Sequence, residues 1–313
     1  MRRYRILTWH VHGNYLYYLS HAPHEFHVLS KPERGPGYAG RIGSLPWGDN
    51  VIDCPVASLP GREFDCVLYQ SRDHYLHDRE AVLSVTQRKL PAIYLEHDPP
   101  LAHPTNTRHP VVDPNVLVVH VTHYNALMWD NAGPTAVIEH GVRVPDGVSY
   151  SGHVPRGIVV INHLQRRGRR LGADVFARWR AAQPLDLYGM AAEESGGVGE
   201  LPYAELMTML ASYRLYCHPV RYTSLALALC EAMSIGLPVV GLATTELPRV
   251  VADGVTGFVD SDVERLIERT AFLLREPGAA KAMGTAARRF ARERFSIERF
   301  AADWDRAFRA VVG

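Results

Sequence analysis

The chain has 313 residues, a length that suits two domains of about 150 residues each. It is 47% hydrophobic and 21% charged, which is the balance of a globular chain rather than a disordered or fibrous one. Thirty-four basic residues against 33 acidic ones leave a net charge of +1, so a nucleic-acid polyanion is not the default partner. The cysteines Cys54, Cys66, Cys217 and Cys230 make no C-x-x-C pair and no zinc spacing, as expected of a reduced, cytoplasmic protein. No apolar run reaches the roughly 18 residues of a membrane span, and MRRYRILTWH carries no signal-peptide core. Lysine occurs only as Lys31, Lys89 and Lys281, and 13 of the 16 histidines precede residue 141. The first count reads as base-composition bias. The second sets the two halves apart.

In chain order, RILTW (5–9) reads as a buried strand ending in HVHGN, YLYYLSHA as a short helix and HEFHVLS as a second strand. FDCVLYQS (64–71) is a third strand, and the apolar spacing over 76–88 predicts a helix. PAIYLEHD (91–98), VLVVHVT (116–122) and TAVIEHGV (135–142) complete six strands. PDGVSYSGHVP, rich in Pro, Gly and Ser, is the expected linker. The pattern then restarts. GIVVINHL (157–164), LDLYG (185–189), RLYCHPV and PVVGLA are strands. They alternate with helices LGADVFARWRAA, PYAELMTMLAS (202–212) and SLALALCEAMSIG. Three further helices follow, the last being SIERFAADWDRAFRAVV with Ser296 as a candidate cap. Continuous apolar strands alternating with helices predict parallel sheets covered on both faces. The expected fold class is therefore α/β, with two Rossmann-like doubly wound domains, 1–148 and 149–313, facing across a cleft. Ligands of such sheets bind at the carboxyl ends of the strands.

The most informative stretch is HPVRYTSLALALCEAMSIGLPVVGLATTELPRVVADGVTGFV, residues 218–259. A strand here leads through a loop to a helix, with Thr223 or Ser224 as the expected N-cap. First-turn amides would favour a pyrophosphate. Ser224, Leu227, Glu231 and Ser234 would share one stripe of that helix. A lone helical Glu is ordinarily solvated, but Glu231 is embedded in an almost wholly apolar run. A carboxylate there can accept hydrogen bonds from two vicinal hydroxyls, such as a ribose presents. In INHLQRRGRRLGADVF (161–176), Arg166, Arg167, Arg169 and Arg170 gather beside a predicted helix start. Arginine's planar fork suits phosphate oxygens. A solvated basic turn is the plainer alternative.

The run EAMSIGLPVV, TTELPRVV and DGVTGFV resembles the donor-site signature of retaining glycosyltransferases of the GT-B fold, particularly glycosyltransferase family 4. The resemblance implies a donor domain over 149–313 and an acceptor-side domain over 1–148. Its last helix, about 296–311, would pack back on the first domain. It implies that Glu231 binds the nucleotide ribose, and that backbone groups of Thr223, Ser224 and Leu225 serve phosphate or sugar. Arg166 or Arg167 would act after the first strand of this domain and Arg170 at the following helix start, both on the leaving diphosphate. Gly189 and Met190, in LYGM, would line the base. His97, in YLEHDPP, would face the donor sugar, and Gly13 would allow close approach in the first loop.

This chain departs from the signature at Thr223, where the family carries a Glu, and at Ser224 and Leu225, where it carries glycines. The implied activity is metal-independent transfer, with retention, from a UDP- or GDP-sugar to a saccharide or lipid-linked acceptor, as in polysaccharide biosynthesis. No cofactor is implied beyond the nucleotide-sugar donor. The scattered histidines (His10-x-His12, His97-x5-His103, His120-x2-His123) give no convincing metal site. Residues 1–148 carry 13 basic and 15 acidic side chains, so membrane contact is at most peripheral. Two alternatives stay open: a catalytically silent nucleotide-binding relative, motivated by Thr223, and a nucleotide-sugar epimerase using carboxylates such as Glu96, Asp98 and Glu246.

Overall fold

The computed structural model describes residues 2–11, 13–42 and 45–313. The chain divides into two units: Met1–Gly141 with Ile297–Gly313, and Val142–Ser296.

In unit 1 the strands are β1 (Arg5–Thr8), β2 (Glu25–Ser30), β3 (Val51–Pro55), β4 (Cys66–Tyr69), β5 (Ala92–Glu96), β6 (Val116–His120) and β7 (Thr135–Val137). They form one sheet in the order β3-β2-β1-β4-β5-β6-β7, and every pairing is parallel. Its first three helices are α1 (Gly13–Leu19), α2 (Arg79–Val82) and α3 (His123–Met128). Leu7, Trp9, Tyr69, Tyr94 and Val118 lie in one apolar cluster of this unit.

Strand β3, in a run that ends in Pro, was not expected from the sequence. The helix expected over 76–88 is broken. A π-helical turn (His74–Asp78) runs into α2, and a 3-10 turn (Gln87–Lys89) follows. The cause is local. Ser84 N donates to Gln87 Oε1, and Gln87 N donates to Ser84 Oγ. Such side-chain bonds to backbone compete with the helical ladder. Gln87 is further held by donating Nε2 to the carbonyls of Leu59 and Arg62.

Unit 2 begins with β8 (Val154–Val160), α4 (Leu164–Arg167), α5 (Ala173–Ala182), β9 (Leu185–Tyr188), α6 (Tyr203–Ser212) and β10 (Tyr213–His218). It continues with α7 (Leu227–Ile235), β11 (Val239–Leu242), α8 (Leu247–Val250), β12 (Gly257–Asp260), α9 (Val263–Arg275) and α10 (Pro277–Arg294). Its sheet is parallel, in the order β12-β11-β10-β8-β9. Helix α7 is buried from Leu229 to Ile235, as an apolar helix must be. Gly236, at φ 116°, ends it, and the amides of Gly236 and Leu237 both reach the Ala232 carbonyl.

The chain divides at Gly141–Val142 rather than after residue 148. The expected linker is fastened into unit 2: the amides of Ser151 and Gly152 donate to the Ala211 carbonyl, and Tyr150 Oη donates to that of Arg214. The closing helix α11 (Ile297–Val312) belongs to unit 1. There Phe300 and Phe308 set their rings against Tyr15, His24 and Phe26. Arg299 donates to the carbonyls of Glu139 and His140 at 2.8 and 2.5 Å. A Cβ on Gly141 would come 2.1 Å from Phe300 Cβ, so only glycine fits beneath that ring.

Candidate functional site

In unit 2 the strand order reverses between β8 and β10. Loops leaving adjacent strands at such a point run apart, and the carboxyl ends of the strands are where an open α/β sheet takes its ligand. The loops are 161–172 and 219–226, and they are bonded to each other. The amides of Arg221 and Tyr222 donate to the Arg170 carbonyl at 3.1 and 3.0 Å, and Arg221 Nη1 donates to the Arg169 carbonyl at 2.9 Å. Gly172 sits at φ 80°, where a Cβ would come 1.9 Å from the Pro219 carbonyl oxygen. Glycine is thus required twice over, by conformation and by close approach.

The arginines of the first loop divide into different roles. Arg169 donates to Asp174 at 2.6 Å, and Arg221 donates to the same carboxylate at 2.8 Å. The Arg221 hydrogen bond, with help from the Arg221 and Arg169 charges, holds the Asp174 carboxyl down at about 2. Arg169 therefore has its counter-charge inside the protein. Arg166 is exposed and Arg167 half-buried. Arg170 is half-buried, and its Nη1 is shielded from water with no hydrogen-bond partner. A guanidinium nitrogen in that condition suits an anionic oxygen.

The strand ends at Val160, short of the expected Leu164. His163 stands in the left-handed region at φ 52°. Its amide donates to the Met190 carbonyl at 2.7 Å, and the Met190 amide donates to Asn162 Oδ1 at 2.9 Å. Gly189, at φ 132°, would bring a Cβ within 2.6 Å of the Ile161 carbonyl oxygen. Gly189 and Met190 are thereby pinned beside the first loop, with Met190 exposed.

Thr223, Ser224 and Leu225 lie in the second loop. Neither Thr223 nor Ser224 caps the helix: α7 starts at Leu227, its cap residue is Ala226, and no side chain completes the cap. Extended backbone at Ala226 (φ −73°, ψ 132°) delays the first turn. Ser224 therefore drops out of the expected stripe, and Leu227, Glu231 and Ser234 remain on it. Glu231, in the second turn of α7, is 1% exposed. The buried Tyr216 phenol lies within its field. Burial raises that phenol's pKa, and the Glu231 charge raises it further.

A third loop, after β11, escaped the sequence reading as a structural feature. Thr244 Oγ1 donates to the Val220 carbonyl at 2.8 Å, tying this loop to the second. Thr245 sits at φ 51°, an unfavourable conformation for a β-branched residue and one that clusters at functional sites. Nothing in the residue type signals it. Glu246 is buried and pairs with Arg249 at 2.8 Å and Arg294 at 3.8 Å.

Unit 1 carries the other two candidates. Its strand order reverses between β1 and β4. Gly13 opens α1, and a Cβ there would meet nothing within 4 Å. The fold itself does not ask for glycine at this position. His12, in the same HVHGN run, lies outside the described residues. His97 follows β5 and is half-buried. Its Nε2 lies 3.3 Å from Gln70 Oε1, its ring meets Tyr15 edge-on at 4.9 Å, and its carbonyl accepts from Asn125 Nδ2. The following turn is fixed by the Asp98 amide donating to Glu96 Oε1 and by Trp129 Nε1 donating to the Asp98 carbonyl. Glu96 Oε2 pairs with His109 Nε2 at 3.2 Å. Burial raises the Glu96 pKa, and the His109 hydrogen bond opposes that rise. Among the described residues no group of three His, Cys, Asp or Glu could hold a metal ion.

Several solved structures share this architecture over nearly the whole chain. Sucrose-phosphate synthase from Thermosynechococcus elongatus superposes with a TM-score of 0.70 at 16% identity, covering 99% of both chains. The Anabaena protein HepE in complex with UDP gives 0.70 at 13%, covering 99% of this chain and 100% of its own. A glycosyltransferase from Rickettsia africae gives 0.67 at 11%, covering 100% and 99%. The fold is GT-B. Within this GT-B chain, residues 193–290 match the family model of glycosyl transferases group 1. That span holds the second and third loops and α7, while loop 161–172 precedes it. Trehalose synthase from Pyrococcus horikoshii is 37% identical over 71 residues, which is 23% of this chain and 17% of that protein's length.

Proposed function

We propose that the protein is a glycosyltransferase. It moves a sugar from a nucleotide diphosphate sugar to a saccharide or lipid-linked acceptor, with retention and without a metal. The carrying observation is the bonded pair of loops in unit 2, with the unpartnered Arg170 Nη1 at one loop and Glu231 buried in the helix that the other leads into. The group 1 match supports this reading. Crystals of HepE with UDP and UDP-glucose favour a UDP-sugar over a GDP-sugar as donor.

In the reaction, the bond between the anomeric carbon and the β-phosphate oxygen breaks, and the diphosphate leaves with the electron pair. The acceptor oxygen bonds on the same face, and its proton passes to the departing phosphate oxygen. Arg170 stabilises the developing negative charge, with Arg166 and Arg167 in support. Amides around Thr223, Ser224 and Leu225 hold phosphate or sugar oxygens. Glu231 accepts from the ribose hydroxyls, Gly189 and Met190 border the base, His97 positions the sugar, and Gly13 admits close approach.

An epimerase would need several uncommitted carboxylates, and Glu96 and Glu246 are already ion-paired. The silent-relative reading keeps one support, the neutral Thr223. No helix among the described residues is long and apolar enough to cross a membrane. The reading proposed is a cytoplasmic enzyme with at most peripheral membrane contact.

The test is a thermal-shift panel of UDP, GDP, ADP, CMP and their sugar conjugates, with turnover followed as nucleotide release. Saturation at about 100 times Kd adds about 2.7 kcal/mol to stability. Glu231→Ala should cut the shift of the preferred nucleotide by half or more, because hydrogen bonds to a charged group contribute about 1.5–3 kcal/mol. Arg170→Ala should lower kcat more than binding. A nucleotide shift with no release from any conjugate, over a broad set of acceptors, would favour the silent relative. No shift at all would sink the donor-site reading.

A further inference from the structure

We propose that Gln70 is a positioning residue that sets the tautomer of His97, keeping its proton on Nε2 and making Nδ1 the basic nitrogen. Gln70 lies just beyond β4 and is 3% exposed. One end of its amide is 2.6 Å from the Trp9 carbonyl oxygen and 3.0 Å from Thr8 Oγ1. A carbonyl oxygen carries no hydrogen, so the atom 2.6 Å from it must be the NH2 group. The flipped amide would press two oxygens together. Thr8 Oγ1 donates its own proton to the Leu68 carbonyl at 2.9 Å, so it is free to accept from Gln70. The direction of every bond in this buried chain is therefore fixed from the backbone outward. The other end of the amide, Oε1, then faces His97 Nε2 at 3.3 Å.

An amide oxygen only accepts, so His97 Nε2 must donate. In a neutral imidazole the other nitrogen is then the acceptor. The Tyr15 ring and the Asn125 bond to the His97 carbonyl hold the residue in place. The functional consequence, which rests on the reading of His97 given above, is that a hydroxyl meeting the ring at Nδ1 donates to it, and that Nδ1 donates only after protonation.

The experiment is long-range 1H–15N NMR on protein labelled in the histidine rings, with the His97 signals assigned by their loss in His97→Asn. At neutral pH the expected spectrum shows His97 protonated at Nε2 and unprotonated at Nδ1. In Gln70→Leu the resonances should move toward a mixture of both tautomers. A wild-type His97 carrying its proton on Nδ1 would overturn the proposal, and that measurement does not depend on any Gln70 variant folding. An unchanged tautomer in folded Gln70→Leu would overturn it as well. If the tautomer is as proposed but His97→Asn transfers sugar at the wild-type rate, the assignment of His97 to the sugar falls and the role of Gln70 in the ring chemistry stands.

Discussion

Lowering the pH should loosen unit 2 through one residue, His218. Its side chain is buried at the end of β10, its Nδ1 has no hydrogen-bond partner, and burial pushes its pKa down to about 4. Unfolded, the same imidazole titrates near 6.5. Between these values the unfolded chain binds a proton that the folded one refuses. The contribution to stability is therefore fully present above about pH 6.5 and is lost as pH falls toward 4. From pH 7 to pH 5 the loss is about 2 kcal/mol, and the whole window costs about 3 kcal/mol. At a urea m-value near 3 kcal/mol/M, 2 kcal/mol moves the midpoint by about 0.7 M.

The assay is urea unfolding at pH 7 and pH 5 for wild type and His218→Leu. The quantity read is the change between the two pH values, which removes the cost of the substitution itself. His218→Leu should keep about 2 kcal/mol of what the wild type loses. His120 in unit 1, also held near 4 by burial, provides a second site with the same sign. Burial lowers His10, His24 and His27 too, adding to the acid loss in unit 1, while the raised Glu96 works the other way. An identical pH 7 to pH 5 change in wild type and His218→Leu would refute the argument.

Two glycines give further expectations. Gly172→Ala places a methyl carbon against the Pro219 carbonyl and should part the two loops of unit 2. Nucleotide affinity by calorimetry should fall at least tenfold, whereas an unchanged Kd would mean the loops need not touch. Gly141→Ala collides with Phe300 and should cost about 1–3 kcal/mol by overpacking. The loss should not add to that of Phe300→Gly, which removes the Cβ that the new methyl meets, read as the Tm of the double variant against the two single ones.

Much of this architecture was legible because the central strands are continuous apolar runs. β4 and β11 declare themselves by composition alone. Glu231 was legible for the same reason in reverse, as one charge inside a helix with no polar face. The start of α7 was misplaced because Thr223 and Ser224 are good cap residues, yet extended backbone at Ala226 postpones the helix. The break after α2 depends on a reciprocal pair of bonds between Ser84 and Gln87, and β3 shows only a short run that ends in proline. Gln70 and Thr245 were illegible for another reason. Their importance comes from partners far away in sequence, or from a backbone angle their side chains do not advertise.

The discontinuity of unit 1 has a consequence for synthesis. The rings of Tyr15, His24 and Phe26 are made early, and their partners Phe300 and Phe308 come after all of residues 142–296. At about 5–20 residues per second, the ribosome needs on the order of ten to thirty seconds to make the intervening unit. Throughout that interval the nascent first sheet lacks its last helix, while the second unit, continuous in sequence, can fold as soon as it emerges. The part of the protein that is made first is thus the part that matures last. Its uncovered aromatic face is where a chaperone would find the chain.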